Sequence, residues 1–195
     1  ISRAPQESLG GHGQLLADAA RALVSPETTN VKLEKLLRLA MRSTRAERGL
    51  IASLCEDQQL RPLVAVASFD ESDPPRISNA VRRQVLESGE AVIAADVAAD
   101  RALKSSQTLL DAGVRSVLCA PLGGEDGRTL GVLYLDTIAH RAPFEEHHLE
   151  VASVLGGMAG ITLEAESVRA ELEIKRRMEA DLSAAWDIQQ SLLPS

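Results

Sequence analysis

The chain has 195 residues, enough for one substantial domain with appended helices and too few for two ordinary ones. A formal net charge of −7 and a near absence of aromatics (Phe69, Phe144, Tyr134 and Trp186) argue against a nucleic-acid surface, which needs a cationic excess and stacking platforms. Cys55 and Cys119 each sit inside an apolar run, which reads as reduced thiols of a cytoplasmic protein rather than a disulfide framework. No apolar run approaches the roughly 18 to 20 residues of a membrane span, and the first residues lack a basic-then-apolar signal pattern.

Residues 1–8, "ISRAPQES", are polar and aperiodic and read as a linker from an upstream domain. "GGHG" at Gly10–Gly13 follows no strand, so it reads as a flexible lead-in to a helix and not as a phosphate loop. From Leu15 the apolar residues Leu16, Ala19, Ala20, Leu23 and Val24 recur at helical spacing until "SPETTN" stops them. A second amphipathic helix follows, with Leu33, Leu36, Leu37, Ala40 and Met41 on one face and Asn30 as its expected N-cap.

At Gly49 the pattern changes. "GLIASLCED" and "LRPLVAVASF" are short apolar segments joined by a polar turn, a predicted hairpin. "ISNAVRRQVLESGE" returns to helical spacing and ends at Ser88-Gly89. "AVIAAD" reads as a short strand, and "VAADRALKSSQTLLDAG" as a loop holding a short helix. "VRSVLCAPL" and "RTLGVLYLD", separated by the glycine-rich "GGEDG", are expected to be antiparallel neighbours.

From Pro143 to Leu193 the chain reads as helix, and about fifty residues exceed what a globular domain spends on one helix. Ile161, Ala165, Val168 and Leu172 hold the four-three-four spacing of a coiled-coil seam. Continuing that register brings in Lys175 and Glu179, whereas Ile174, Met178, Ala185, Ile188 and Leu192 define a stripe moved by about one residue. Because Trp186, Ile188, Leu192 and Leu193 carry apolar side chains to the last residues, this helix is expected to have a partner outside the chain or to continue into a further domain.

The order helix, helix, two strands, helix, strand, variable loop, two strands and long helix, together with "SVLCAPL…GVLYLD" and "FEEHHLEVASVLGGMAGITLE", resembles the GAF domain family over about Leu15 to Glu164. The resemblance implies an α/β (α+β) regulatory module: a central antiparallel sheet of five or six strands, helices on both sides, and a small-molecule pocket or closed core on the face away from the terminal helices. It also implies a homodimer through those helices. The domain is assigned to residues 9–164 and a coiled-coil signalling helix to residues 165–195. "AAWDIQQSLLPS" is similar to the segment leading into bacterial PP2C-type (SpoIIE/RsbU-like) phosphatase domains, on Ile188, Gln189, Gln190, Leu192, Leu193 and Pro194. That likeness implies a covalently linked phosphatase output domain beyond Ser195.

Several residue clusters invite other chemistry. "FEEHHLE" gathers Glu145, Glu146, His147, His148 and Glu150, but neither paired histidines at four-residue spacing nor HExxH occurs, so a polar helix start is expected and no metal site. Gly156 and Gly160 are expected to let the helix approach the sheet or a partner helix closely. Cys119 reads as a core thiol, with a redox role requiring a lowered pKa and a resolving partner. Some GAF-fold enzymes reduce free methionine sulfoxide with cysteines, and some GAF domains carry a thiol-linked bilin. The cyclic-nucleotide subgroup carries Asn-Lys…Phe…Asp-Glu, whereas here Asp136-Thr137 precede Phe144 and Glu145-Glu146. His140 is the histidine nearest the predicted sheet, and a loop position suits it better than haem ligation.

If the module holds a ligand, its polar lining is expected from the loop Asp96–Gly113, with Arg101, Ser105, Ser106 and Thr108, and from Ser116 or Cys119 on the following strand. Alternation leaves open which of Ser116 and Cys119 faces the pocket, since both faces of a covered sheet are apolar. The expected function is a non-catalytic, cofactor-free sensor and dimerisation domain of a bacterial signal-transduction protein, binding a small molecule and controlling the output domain. The alternatives are a ligand-free dimerisation spacer and a thiol-dependent methionine sulfoxide reductase. No nucleic-acid or membrane partner is expected.

Overall fold

The computed structural model describes residues 6–68, 74–124, 126–138 and 142–191. In chain order the elements are α1 (Gln6–Val24), α2 (Thr29–Thr44), β1 (Arg48–Leu54), β2 (Leu60–Ala67), α3 (Asn79–Ser88), β3 (Val92–Ala94), α4 (Gln107–Asp111), β4 (Val114–Gly123), β5 (Thr129–Ile138) and α5 (Glu146–Ser191). The strands form one sheet in the order β2-β1-β5-β4-β3, with every neighbouring pair antiparallel. The fold is therefore the expected α+β sheet, with five strands and a long C-terminal helix.

Local chemistry explains most boundaries. Ser78 caps α3, its Oγ accepting from the Val81 N–H at 3.2 Å. Gly89 ends the same helix at φ +67, a conformation that costs a glycine nothing. Two helix starts depart from expectation. Helix α1 begins at Gln6 and runs through Gly10–Gly13, so the glycines are not a flexible lead-in. The N-cap of α2 is Thr28, in extended conformation, and not Asn30. Its carbonyl accepts from Lys32 N–H at 3.1 Å, which starts the helix two residues early.

The sheet has a core on each face. On one side α1, α2 and α5 bury Leu33, Leu36, Leu37 and Leu155 against Ile51, Leu118, Leu133 and Leu135. On the other, α3, α4 and the segment between β3 and β4 bury Val81, Val85, Val97, Leu103 and Leu109 against Val117, Cys119, Val132 and Tyr134. Strand β5 shows the period of two behind this division, Leu133 and Leu135 facing one core and Val132 and Tyr134 the other. Each fully buried leucine or valine contributes about 1.5–3 kcal/mol through removal of apolar surface from water.

Helix α5 crosses β4 closely. A Cβ at Gly156 would stand 2.7 Å from the Pro121 carbonyl oxygen, and one at Gly160 would stand 2.2 Å from that of Gly123. The two small positions thus serve contact with the sheet, one of the two uses expected of them.

Candidate functional site

The sheet face away from the terminal helices carries an unusual polar group. Directly opposed residues form two cross-strand rows there, Arg48–Asp136–Val117 and Leu50–Tyr134–Cys119. In the first row the Arg48 guanidinium grips the Asp136 carboxylate in bidentate fashion, Nε to Oδ1 at 2.8 Å and Nη2 to Oδ2 at 3.1 Å, with side chains 7 % and 0 % exposed. A planar fork meeting a planar carboxylate is the geometry that best offsets the cost of burying both charges. Burial pushes the Asp136 carboxyl upward, and the guanidinium opposes that shift. Glu47, just before β1, closes the end of the sheet, its Oε2 accepting from Ile138 N–H at 2.7 Å while its own N–H donates to the Asp136 carbonyl at 3.0 Å.

In the second row Tyr134 is fully buried and its Oη makes no hydrogen bond of ordinary geometry. Burial first, and then the charge of Asp136, push its phenol well above the usual range, so it stays neutral. Burial alone pushes the Cys119 thiol upward as well, which leaves a protonated sulfur and no nucleophile. Cys55 lies in the hairpin turn just past β1, where its N–H donates to the Gln59 carbonyl. The expected strand position for Cys55 is therefore corrected by one residue past the strand's end. Leu50 shares the Tyr134–Cys119 row, and Cys55 lies about 16 Å farther along the chain, far outside disulfide reach of Cys119.

The residues expected to line a pocket are dispersed. Cys119 faces this inner core, whereas Ser116 points to the opposite side, its Oγ donating to the Ala94 carbonyl at 2.9 Å and accepting from Phe144 N–H at 3.1 Å. On the covering segment Arg101, Ser105 and Thr108 are exposed and Ser106 is half-buried at the start of α4. The residues of that segment turned inward are Val97, Leu103 and Leu109. Arg48, Tyr134 and Asp136 were not anticipated as a group. The signal was an ionisable residue opening one apolar strand run, "ERGLIASL", and another closing the second, "GVLYLD".

Elsewhere, a groove of about 860 Å³ lies between α1, α2 and the end of β2, bordered by Lys35, Arg38, Arg42 and Arg45 over Leu39 and Val66. Lys35 is paired with Glu27, and Arg38 with Glu34 at 2.8 Å. At the start of α5, His148 Nδ1 accepts from Glu145 N–H at 2.9 Å, so this histidine serves the helix terminus. Among the described residues no cluster of three or more His, Cys, Asp or Glu could hold a metal, and no helix is long and apolar enough to cross a membrane. His140, Phe69 and Leu192–Pro194 lie outside the described residues.

The arrangement offers recognition chemistry: an unpartnered phenol beside a closed ion pair, under a cover of leucines and valines, with no activated nucleophile. Comparison with known proteins agrees on the architecture. Residues 29–163 match the GAF domain family. No curated protein sequence matches the chain. Among solved structures, the photosensory core module of a Stigmatella aurantiaca phytochrome superposes with a TM-score of 0.67 at 13% identity, over 92% of this chain and 41% of that one. This chain thus spans less than half the length of that module. The GAF domain of a protein described as a sensor histidine kinase from Pseudomonas syringae pv. tomato gives 0.61 at 16% identity over 87% and 96% of the two chains. The A. aeolicus nlh2 GAF domain in an inactive state gives 0.59 at 16% over 78% and 95%. At these identities the likeness concerns the fold alone, but the sequence match over 29–163 covers most of the chain. The chain belongs to the GAF domain family, whose members are generally regulatory modules.

Proposed function

We propose that the chain is a non-catalytic sensor and dimerisation domain of a bacterial signal-transduction protein, governing an output domain joined after α5. The observation that carries this reading is the division of α5. Its first half is packed on β4 through Gly156 and Gly160, while its second half runs on with Val168, Leu172 and Leu182 at least half exposed. One continuous helix therefore links the sheet to whatever follows. A ligand or an upstream domain acts only if it binds one arrangement of the paired helices better than another.

The small-molecule part of the proposal is supported by the unpartnered Tyr134 Oη on the inner face. A ligand reaching Tyr134 and Cys119 would displace Leu103 and Leu109 and meet Arg101, Ser105, Ser106 and Thr108 on the covering segment, leaving Ser116 in its own hydrogen bonds. A second reading, the ligand-free spacer, is favoured by the filling of that face with Val81, Val85, Val97, Leu103 and Leu109. The methionine sulfoxide reductase alternative lacks both a lowered thiol pKa and a resolving partner for Cys119. The PP2C-type output rests on the "IQQSLLP" likeness, and metal-dependent phosphoserine hydrolysis by the full-length protein is its test.

Native mass spectrometry of the purified chain, at low and then high collision energy, separates the readings. A dimer with a small-molecule adduct is the expected result. A clean dimer that binds nothing from a metabolite screen would transfer the proposal to the spacer, and a monomer would overturn dimerisation.

A further inference from the structure

Every described side chain from residue 165 to 183 is exposed, and beyond a hydrogen bond from Thr29 Oγ1 to Glu166 no described element covers this span. Yet Val168, Leu172, Ile174, Met178 and Leu182 within it, with Ile161 before and Trp186 after, are between 50% and 70% exposed and place large apolar side chains in water. Because α5 is one unbroken helix, the seven-residue intervals can be followed without interruption. One set runs Ile161, Val168, Lys175, Leu182 and the other Ala165, Leu172, Glu179, Trp186. Leu182 and Trp186 thus return to the seam that Lys175 and Glu179 interrupt.

A seven-residue apolar repeat winds against a helix that carries the same repeat. The helix known to carry it is this one, so a second copy of the chain is the occupant the pattern fits. Building on the dimer proposed above, we infer that the far half of α5 offers that copy two alternative seams, and that Lys175 and Glu179 set the balance between them. Both seams share Ile161, Ala165, Val168 and Leu172. The first continues through Lys175, Glu179, Leu182 and Trp186. The second passes through Ile174 and Met178, each one residue earlier, and meets Asp181 in place of Leu182.

Beyond Leu172 the stripe of the second seam is displaced from that of the first by roughly 100° about the helix axis, a shift that one continuous helix takes up by a local change of winding. The first seam encloses two charged residues and gains a leucine and a tryptophan. The second returns both charges to water, gains an isoleucine and a methionine, encloses Asp181 and leaves Trp186 outside. Enclosed charge opposes each seam, so neither has the advantage of an uninterrupted apolar stripe. A change in the packing of the first half of α5 would thereby be read out as a rotation of everything that follows the helix.

The test is disulfide trapping in the chain with Cys55→Ser, Cys119 being buried. Single cysteines are introduced by Val168→Cys, Met178→Cys, Leu182→Cys and Ala180→Cys, the last pointing outward in either seam. Expected are crosslinked dimers at 168, 178 and 182 and none at 180. Adding Lys175→Leu and Glu179→Leu, which makes the first seam apolar, raises the yield at 182 and suppresses that at 178. Crosslinking at only one of 178 and 182, crosslinking at 180, or a pattern indifferent to the double substitution overturns the two seams while a crosslink at 168 keeps the dimer. Failure at 168 overturns both.

Discussion

The two halves of α5 are one helix in two environments. Over its full 46 residues it spans about 70 Å, yet among its described side chains the buried ones all lie before residue 161. There Val151, Ala152, Leu155 and Ala159 face the sheet, and the glycines let backbone meet backbone. Beyond, equally apolar residues face water. Hydrophobic spacing alone does not distinguish the halves, since Leu155 and Leu172 both sit on apolar stripes. What differs is whether the chain supplies the opposite surface.

That contrast can be broken most strongly at Leu155, which is 1 % exposed. Leu155→Ala should lower the stability of the domain by about 2–5 kcal/mol in urea unfolding, through lost transfer energy and the cavity left behind. Gly160→Ala should cost about 1–3 kcal/mol, because its new methyl would meet the Gly123 carbonyl at 2.2 Å and the helix must lift. Leu172→Ala, the matched change in the exposed half, should alter unfolding of the monomeric domain by less than about 0.5 kcal/mol. It should instead weaken self-association, measured by dilution on a sizing column. A large loss of monomer stability there would mean that the far half folds back on the domain.

The smallest effect is expected at the start of α5. Burial, reinforced by the neighbouring His147, holds His148 below the ordinary histidine value of 6.5, consistent with its neutral Nδ1 accepting from Glu145 N–H. Between that lowered value and 6.5 the unfolded chain binds more protons than the folded one, so stability should fall as pH drops through the window. Denaturant titrations between about pH 7.5 and 5.5 should show the slope, and His148→Asn, which keeps an acceptor without titrating, should reduce it.

Elements whose cause is local were the legible ones. Ser78 and Gly89 bracket α3 because a hydroxyl cap and a left-handed residue act within one turn of the helix. The start of α2 was misplaced because several residues of "SPETTN" can cap, and packing of Leu33 and Leu36 decides which one does. The candidate site was legible only in fragments. Arg48 and Asp136 are separated by 88 residues, and nothing near either one names the other. Cys119 and Ser116 were both plausible inward residues: three apart on a regularly paired stretch of β4, they must face opposite sides, and which side is the inner one depends on what packs against each face.

By itself, the sequence determined the family, the succession of elements and the length of α5, since each follows from periodicity, turn chemistry and a strand signature readable within a short window. Only the tertiary structure decided which strand lies beside which, that an arginine opposes an aspartate under the inner core, and where along α5 burial stops. Those outcomes depend on strand register and on which surfaces meet, and both are set by contacts between residues far apart in the chain.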